Sequence, residues 1–554
     1  MPFIAHLQRP LLVALWVIVL VALAMVLLGN GMTKATGRDE QMYCTAGVLV
    51  SQGMVPYRDF AYASQLPCHP LLYAAAFRIT GTTHYLLAGR LVSVACDLLV
   101  LILIVIIYRG IIPGSYACLW LGLAAAVLVA FNPLVSYASG YAWNHDVVVL
   151  LVMFSLWLLV SIGPSRPVYA WRAAAIGLCL SLAAGMRVTT ILVIPLFMAA
   201  LAWRAKDLAI LTRGWLLPFA AGSLAAAIWP VWVFLLAPEA FWCDLVVIPA
   251  IYGRWLHEIG MAYDRLGLTR DCLTTPGYLA IFVLLAGLVI LAGRRRAGER
   301  TVHPASLMVS AGLAAVFSLI AFIPPTLWPQ YWAIPVPFLV VTLAWPLSRL
   351  AQGGSGGRMA IAGLLVGLAV IITVAANPLA LWGAPLATDP AAWEPLKVHH
   401  LASDIVAHAE GTRRRVLTLA PLLALEGGGT IYPELSCGSI IYRVADQLTA
   451  EQRRLVRVAG PSSIVDLARA NPPDVVVVGA EDRRFAFLEK PLEEVADPDW
   501  GRRDYPNGPV VYYPPRRRQA AAGLQRRPDS GPLALAEIAL SEPLRVEPPS
   551  AVDR

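Results

Sequence analysis

Charge is scarce in this chain of 554 residues: Asp, Glu, Lys and Arg together make up 14%, against about 25% in soluble globular domains. An ordinary water-soluble protein is thereby excluded, and the 58% share of apolar residues supplies the reason. Repeated apolar runs approach twenty residues, the length of a membrane-spanning helix. Other absences narrow the chemistry. No zinc-type spacing, phosphate-binding loop or dinucleotide fingerprint occurs in the sequence, so a nucleotide site is unsupported. There is no internal repeat of soluble type. Eight cysteines are too few for a disulfide scaffold in a chain this long. The basic surplus, 43 Lys and Arg against 35 acids, belongs in such a chain to cytosolic loops and lipid headgroups, and no nucleic-acid partner is expected.

The apolar runs predict an all-α polytopic membrane protein of about eleven helices, with spans near 11–30, 85–108, 114–132, 146–163, 171–187, 188–203, 214–237, 277–293, 304–323, 332–348 and 359–382. Leu11–Leu28 is too long for a signal-peptide core, and no small-residue cleavage site follows it, so it reads as a retained anchor. Alternate loops carry Arg109, Arg166, Arg172, Arg204, Lys206, Arg213, Arg294, Arg295, Arg296, Arg300, Arg349 and Arg358 against only Asp207 and Glu299. By the positive-inside rule those loops are cytosolic. The loop 31–84, the loop 238–276 and everything after residue 383 then lie on the extracytoplasmic side of the inner (plasma) membrane. Residues 1–383 form the membrane domain on this reading. Asp39 to Val50 reads as an interfacial helix with Met42, Tyr43, Ala46 and Leu49 on its apolar side. A second helix, Leu71 to Ile79, follows Pro67-Cys68-His69-Pro70. Residues 384–515 have the composition of a small α/β domain, with helices at Val398–His408 and Ser463–Ala470 and strands at Arg415–Leu419, Asp474–Gly479 and Pro509–Tyr513. The tail 516–554 reads as disordered. Cys44 with Cys68, and Cys243 with Cys272, share extracytoplasmic loops, where each pair has the option of a bridge.

Against this apolar background the stretch Gly37-Arg38-Asp39-Glu40-Gln41-Met42-Tyr43 stands out. Ionisable groups at the edge of a bilayer are costly unless they do chemistry or bind charge. Asp39 is the candidate base, a carboxylate at a cavity mouth where burial or a neighbour can tune it. Glu40 is adjacent and points elsewhere on a helix. Asp146, in Trp143-Asn144-His145-Asp146, is the second candidate, with helix capping as its alternative role. Both acids fall at one membrane level and are free to converge. An anionic partner needs fixed cations nearby. Arg58, His69, Arg187, Arg254 and Arg265 are available on the same side. Arg187 interrupts an apolar run, for charge binding or as a snorkelling side chain. His69, between Cys68 and Pro70, has a structural reading beside the functional one. Pro324 to Pro337, which includes Gln330 and Tyr331, reads as an aromatic belt or as the wall of a groove.

These elements in this order resemble the GT-C membrane glycosyltransferases, and within them family 39: protein O-mannosyltransferases, lipid A aminoarabinose transferases and bacterial homologues. The resemblance covers roughly residues 10–350. It rests on the Asp39-Glu40 pair after the first span, short helices in the following loop, Asp146 before the fourth span, and Gln330-Tyr331 with Pro335 before a late span. It implies a polyprenyl-phosphate sugar as donor and a glycan, lipid or protein hydroxyl as acceptor. Asp39 is then the catalytic base and Asp146 the second catalytic acid, with Glu40, Arg58, His69, Arg187, Arg254, Gln330 and Tyr331 around the substrate and its phosphate. Relatives of the aminoarabinose type carry Lys-Pro-Pro about thirty residues after the first acid, where this chain has His69-Pro70. The departure moves the phosphate contact toward Arg58 or Arg187. No cofactor is required, and a divalent metal is left open. Two other classes compete. A transporter or flippase would place ionisable pairs near the bilayer midplane and show repeats. A surface-polysaccharide ligase or polymerase would keep its key residues in a large late loop, here 238–276.

Overall fold

The computed structural model describes residues 2–112, 117–162, 169–204, 214–262, 264–293, 304–353, 356–409, 413–506 and 508–515. The tail 516–554 lies outside them. So do Arg166, Lys206, Asp207, Arg213, Arg294, Arg295, Arg296, Glu299 and Arg300, which carried much of the orientation argument. Helix takes 73% of the described residues and strand 4%, so among them the molecule is a helical bundle carrying one small sheet.

Each predicted span coincides with a helix or a closely broken pair. Helix α1 (Pro2–Thr33) leads into α2 (Arg38–Ser51) and α3 (Cys68–Thr80). The bundle continues through α4 (Tyr85–Ile111), α5 (Ala117–Ala130), the short α6 (Pro133–Ala138), α7 (His145–Val160), α8 (Ala170–Met186) and α9 (Ile194–Arg204). A 3-10 turn, Val188–Val193, precedes α9, so the thin turn at Gly185-Met186-Arg187 is a real break. Next come α10 (Leu217–Leu236), α11 (Pro238–Trp242), α12 (Ile248–Glu258), α13 (Arg265–Leu273) and α14 (Pro276–Ala292), the last two bent by 67° at their junction. Helices α15 (Pro304–Ile320), α16 (Pro335–Thr342), α17 (Ala344–Gln352), α18 (Gly356–Ala375) and α19 (Pro378–Gly383) complete the bundle. By length and composition five described helices suffice to cross a bilayer, six with the bent pair; five shorter apolar helices fill the remaining predicted spans.

Lipid tails are as apolar as leucine, so packing and close approach, not water exclusion, hold such helices together. The tightest crossing shows this. Gly177 on α8 and Gly222 on α10 face the other helix's backbone, and a Cβ at either would sit 2.2 Å from the Phe219 carbonyl oxygen or 2.0 Å from that of Ala174. The outer faces of α10 and α18 remain bare and apolar: Leu224 is 69% exposed and Leu364 74%. Those faces are solvated by lipid, and the chain is a multi-pass membrane protein.

The C-terminal part begins its regular structure with α20 (Glu394–Ala407) and α21 (Pro421–Glu426), followed by α22 (Ser439–Tyr442), α23 (Ala450–Val456) and α24 (Ile464–Ala470). Its sheet runs β1 (Val416–Leu417), β2 (Val475–Val478), β3 (Gly501–Asp504) and β4 (Val510–Tyr513), in spatial order β1-β2-β4-β3. Strand β2 pairs parallel to β1 and antiparallel to β4, and the edge strand β3 is antiparallel to β4. All four valines of β2 are buried, as a strand covered on both faces requires.

One hydrophobic core runs through this part into the loops above the bundle. It joins Met42 and Tyr43 of α2, Tyr57, Phe60, Ala61, Tyr62 and Ala63, Ile251 and Trp255 of α12, and Leu417, Leu419, Leu422 and Ile441. Burying each leucine there contributes about 1.5–3 kcal/mol. Polar contacts fix the register: Leu422 donates its N–H to Gln41 at 3.0 Å, and Ser436 Oγ donates to the Ala61 carbonyl at 3.1 Å. This corrects one expectation. Helix α2 does not lie on a membrane surface with one apolar side, because every residue from Met42 to Val50 is buried. The C-terminal part and α3 cover what the sequence pattern left for water and lipid.

All eight cysteines are buried, and none forms a disulfide. Cys44 packs toward Gly89 and Cys68 toward Gly185, so the two loop pairings are not formed.

Candidate active site

The site is built where α2 starts. The turn from α1 is fastened by Arg90, which rises from α4 fully buried. Its guanidinium donates to the carbonyls of Gly31 at 2.9 Å and Lys34 at 2.7 Å, and to both carboxylate oxygens of Glu40 at 2.8 and 2.7 Å. Glu40 also accepts the Gly37 N–H at 2.8 Å, the return half of a capping box, and the Ala142 N–H at 2.7 Å. Both Glu40 oxygens are thus occupied by the protein. Glu40 is a structural anchor, which corrects its assignment to the substrate. Lys34 closes the same corner by donating to the carbonyls of Ser136 and Ser139, each at 2.6 Å.

With Glu40 turned inward, Asp39 faces the other way and is half-buried. Burial lifts its carboxyl above the ordinary range, with the Glu40 charge adding and Arg38 opposing. A poised base needs such a shift. The phenols of Tyr43 and Tyr331 both lie in the fields of Asp39 and Arg187. Tyr43 belongs to α2. Tyr331 sits on the 3-10 turn Pro329–Trp332, which the prolines of this stretch initiate.

Arg187 follows the last residue of α8 in extended backbone, and that break turns its side chain inward. It is 8% exposed, its guanidinium carbon is 4.6 Å from the Tyr331 ring centre, and its Nη1 has no hydrogen-bond partner. No carboxylate within salt-bridge distance neutralises it among the described residues. It does not snorkel. His145 stacks on the other side of this cluster, its ring 6.1 Å from that of Tyr331, with neither ring nitrogen paired. Asn144 ties the walls together, donating to Gln65 at 2.8 Å and to the Met186 carbonyl at 3.1 Å.

His69 is fully buried between Tyr43 and Tyr73, with ring centres 4.9 and 4.2 Å away. Burial pushes its pKa down to about 3 against a weaker pull from the Trp143 carbonyl. It is neutral at pH 7 and supplies no charge to a phosphate. Asp244 is a buried acid that ties the 238–276 loop to this wall. Its carboxylate accepts the Tyr62 N–H at 3.0 Å, and burial raises its pKa to about 8.

Other candidates lie elsewhere. Asp146 is not the cap of α7; Asn144 is. Its carboxylate accepts the Gly140 N–H at 3.3 Å and lines a cavity of about 40 Å³ with Asp97, His145 and Gln330. Asp39 is not among the lining residues of that cavity. Gln330 is buried there with its side-chain oxygen unpaired. Arg58 is exposed and paired with Asp59 at 2.7 Å. Arg254 lies on the exposed side of α12. Arg265 donates to the Phe322 and Pro324 carbonyls, holding a loop. Sequence reading missed Arg90 and Asp97, although charges inside an apolar span are the signal that singled out Arg187. It also passed over His145, which stood beside Asp146 in the quoted motif.

No protein-family profile matches the sequence, and no curated protein does. Solved structures do match. ArnT from Cupriavidus metallidurans, determined with undecaprenyl phosphate bound and also in the apo state, superposes with TM-score 0.57 at 15% identity. The bound form covers 90% of this chain and 97% of its own. The arabinofuranosyltransferase AftD from Mycobacteria gives TM-score 0.49 at 15% identity, over 90% of this chain and 40% of its own. The oligosaccharyltransferase of Archaeoglobus fulgidus gives 0.48 at 12%, over 83% and 67%. All are GT-C membrane glycosyltransferases. This chain has the GT-C fold.

Proposed function

We propose that the chain is a membrane glycosyltransferase that moves a sugar from a polyprenyl-phosphate donor to an acceptor hydroxyl, with inversion and with Asp39 as general base. The observation that carries this reading is Arg187: a buried, unneutralised guanidinium beside Tyr331, sharing its phenolic neighbours with a half-buried carboxylate. A buried unpaired charge is costly, and a phosphate would remove that cost with charge-assisted hydrogen bonds. The resemblance in fold to ArnT, solved with undecaprenyl phosphate, supports a lipid-phosphate ligand.

The acceptor O–H gives its proton to the Asp39 carboxylate as its oxygen attacks the anomeric carbon. The bond from that carbon to the phosphate oxygen breaks on the opposite face, and polyprenyl phosphate leaves with the electron pair. Arg187, with the Tyr331 hydroxyl, holds the growing negative charge; fixed donors aimed at developing charge usually contribute most to such catalysis. His69 and His145 shape the pocket as neutral rings. Asp146 steadies the turn before α7 through Gly140 and so positions His145. Glu40 and Arg90 hold Asp39 in place. The site then faces the extracytoplasmic side, in keeping with the basic loops opposite, and the C-terminal part covers it.

Purified full-length protein given undecaprenyl-phosphate sugars is expected to release undecaprenyl phosphate and leave nucleotide sugars untouched. Turnover of a nucleotide sugar in lipid-free detergent would reject the reading.

A further inference from the structure

Away from this site, three side chains from three separate elements converge where the bundle meets the C-terminal part. His84 immediately precedes α4, His399 lies on α20, and Glu426 is the last residue of α21. Each offers one ligand atom, and these atoms lie within 4.8 Å of one another. The imidazole rings of His84 and His399 have centres 3.6 Å apart, tilted by 31°. His399 Nδ1 is 2.6 Å from one Glu426 oxygen, and the other accepts the Leu86 N–H at 2.6 Å.

The hydrogen bonding here is incomplete in one place. His84 Nδ1 is sealed from solvent and has no partner, and a buried polar atom left unpaired costs about 1–3 kcal/mol. Two imidazoles and a carboxyl group form a donor set suited to a divalent metal. A tetrahedral zinc ion with bonds of about 2.0–2.1 Å needs ligand atoms about 3.3 Å apart, within reach of small side-chain rotations here. The Leu86 N–H would orient the carboxylate from behind, as outer partners of metal ligands do.

We propose that His84, His399 and Glu426 bind one zinc ion, with water in the fourth position, and that this ion fastens the C-terminal part to the start of α4. The ion replaces the proton shared by His399 and Glu426 and gives His84 Nδ1 its missing partner. Its role is to tie α20 and α21 to the bundle, where α21 also meets α2 through Leu422 and Gln41. The proposal is independent of the glycosyltransferase reading and is tested without an activity assay.

The full-length protein in detergent is stripped with chelator, reloaded with zinc, desalted and analysed for metal. One zinc per chain is expected in the wild type, with a raised melting temperature, and both effects are expected to vanish in the His84→Ala/His399→Ala double variant. X-ray absorption of the zinc-loaded wild type keeps the test open if the variant fails to fold. It should show two imidazoles and oxygen donors near about 2.0–2.1 Å. No retained zinc, equal zinc in wild type and variant, or sulfur among the ligands would each overturn the proposal.

Discussion

Glu40 and Arg90 close on one another at 2.7 Å with neither side chain exposed to solvent. The pair joins α2 to α4 across fifty residues and commits Glu40, of the two adjacent acids, to the protein interior. Glu40 spends its oxygens on Arg90, Gly37 and Ala142, so its neighbour Asp39, about 100° further round the helix, points the other way.

Removing one partner of a buried pair strands the other, at a cost of about 3–5 kcal/mol. Glu40→Ala and Arg90→Ala are each expected to lower the melting temperature and the folded yield sharply. The double variant Glu40→Met/Arg90→Met is expected to be less damaging than either. Fluorescence-detected chromatography after graded heating measures this. A fully stable Glu40→Ala protein would mean that the pair does not hold the corner.

Arg187 is argued to bind phosphate, so Arg187→Met should weaken donor binding while leaving the chain folded. Charge-assisted hydrogen bonds of about 1.5–3 kcal/mol predict a rise of roughly ten- to hundredfold in the donor KM. Arg187→Lys should recover part of it, since the charge returns but the planar stacking on Tyr331 does not. Donor titrations of the three proteins give the answer. An unchanged KM in Arg187→Met would remove the phosphate from this side chain.

Asp244 gives a pH prediction for stability. Its carboxyl is held near pKa 8 in the folded chain against 3.8 for the ordinary side chain. Between those values the folded state binds the extra proton, so this group's contribution falls as pH rises from about 4 to 8 and levels off above. Asp244→Asn keeps an acceptor for the Tyr62 N–H and abolishes the titration. Wild-type melting temperature should therefore drop relative to the variant between pH 5 and pH 8.5. Parallel pH profiles would contradict the assignment.

The bundle was legible in the sequence because length and apolarity alone specify a membrane span. The strands β2 and β4 were legible as short apolar runs. Strand β3 was not, since Gly501-Arg502-Arg503-Asp504 is exposed throughout and pairs only through its backbone. Asp39 and Arg187 stood out because charge beside lipid is rare. Local sequence gave no sign that Glu40 belongs to Arg90, that Asp146 faces Asp97, or that His84 meets His399 and Glu426. Those pairings span 50, 49, 315 and 342 positions, and packing alone brings them about. The one-sided pattern on α2 misled for the same reason: its second face is covered by residues nearly four hundred positions away.

The central claim is that Asp39 takes the proton, and single-turnover sugar transfer by Asp39→Asn tests it most directly. Asparagine keeps the size and much of the hydrogen bonding and removes only the proton acceptor. General-base catalysis contributes about 10²–10⁴-fold. Transfer from a polyprenyl-phosphate sugar should fall by that factor at matched protein level, while donor binding and melting temperature stay at wild-type values. Near-normal transfer by Asp39→Asn would contradict the account and place the base on another residue.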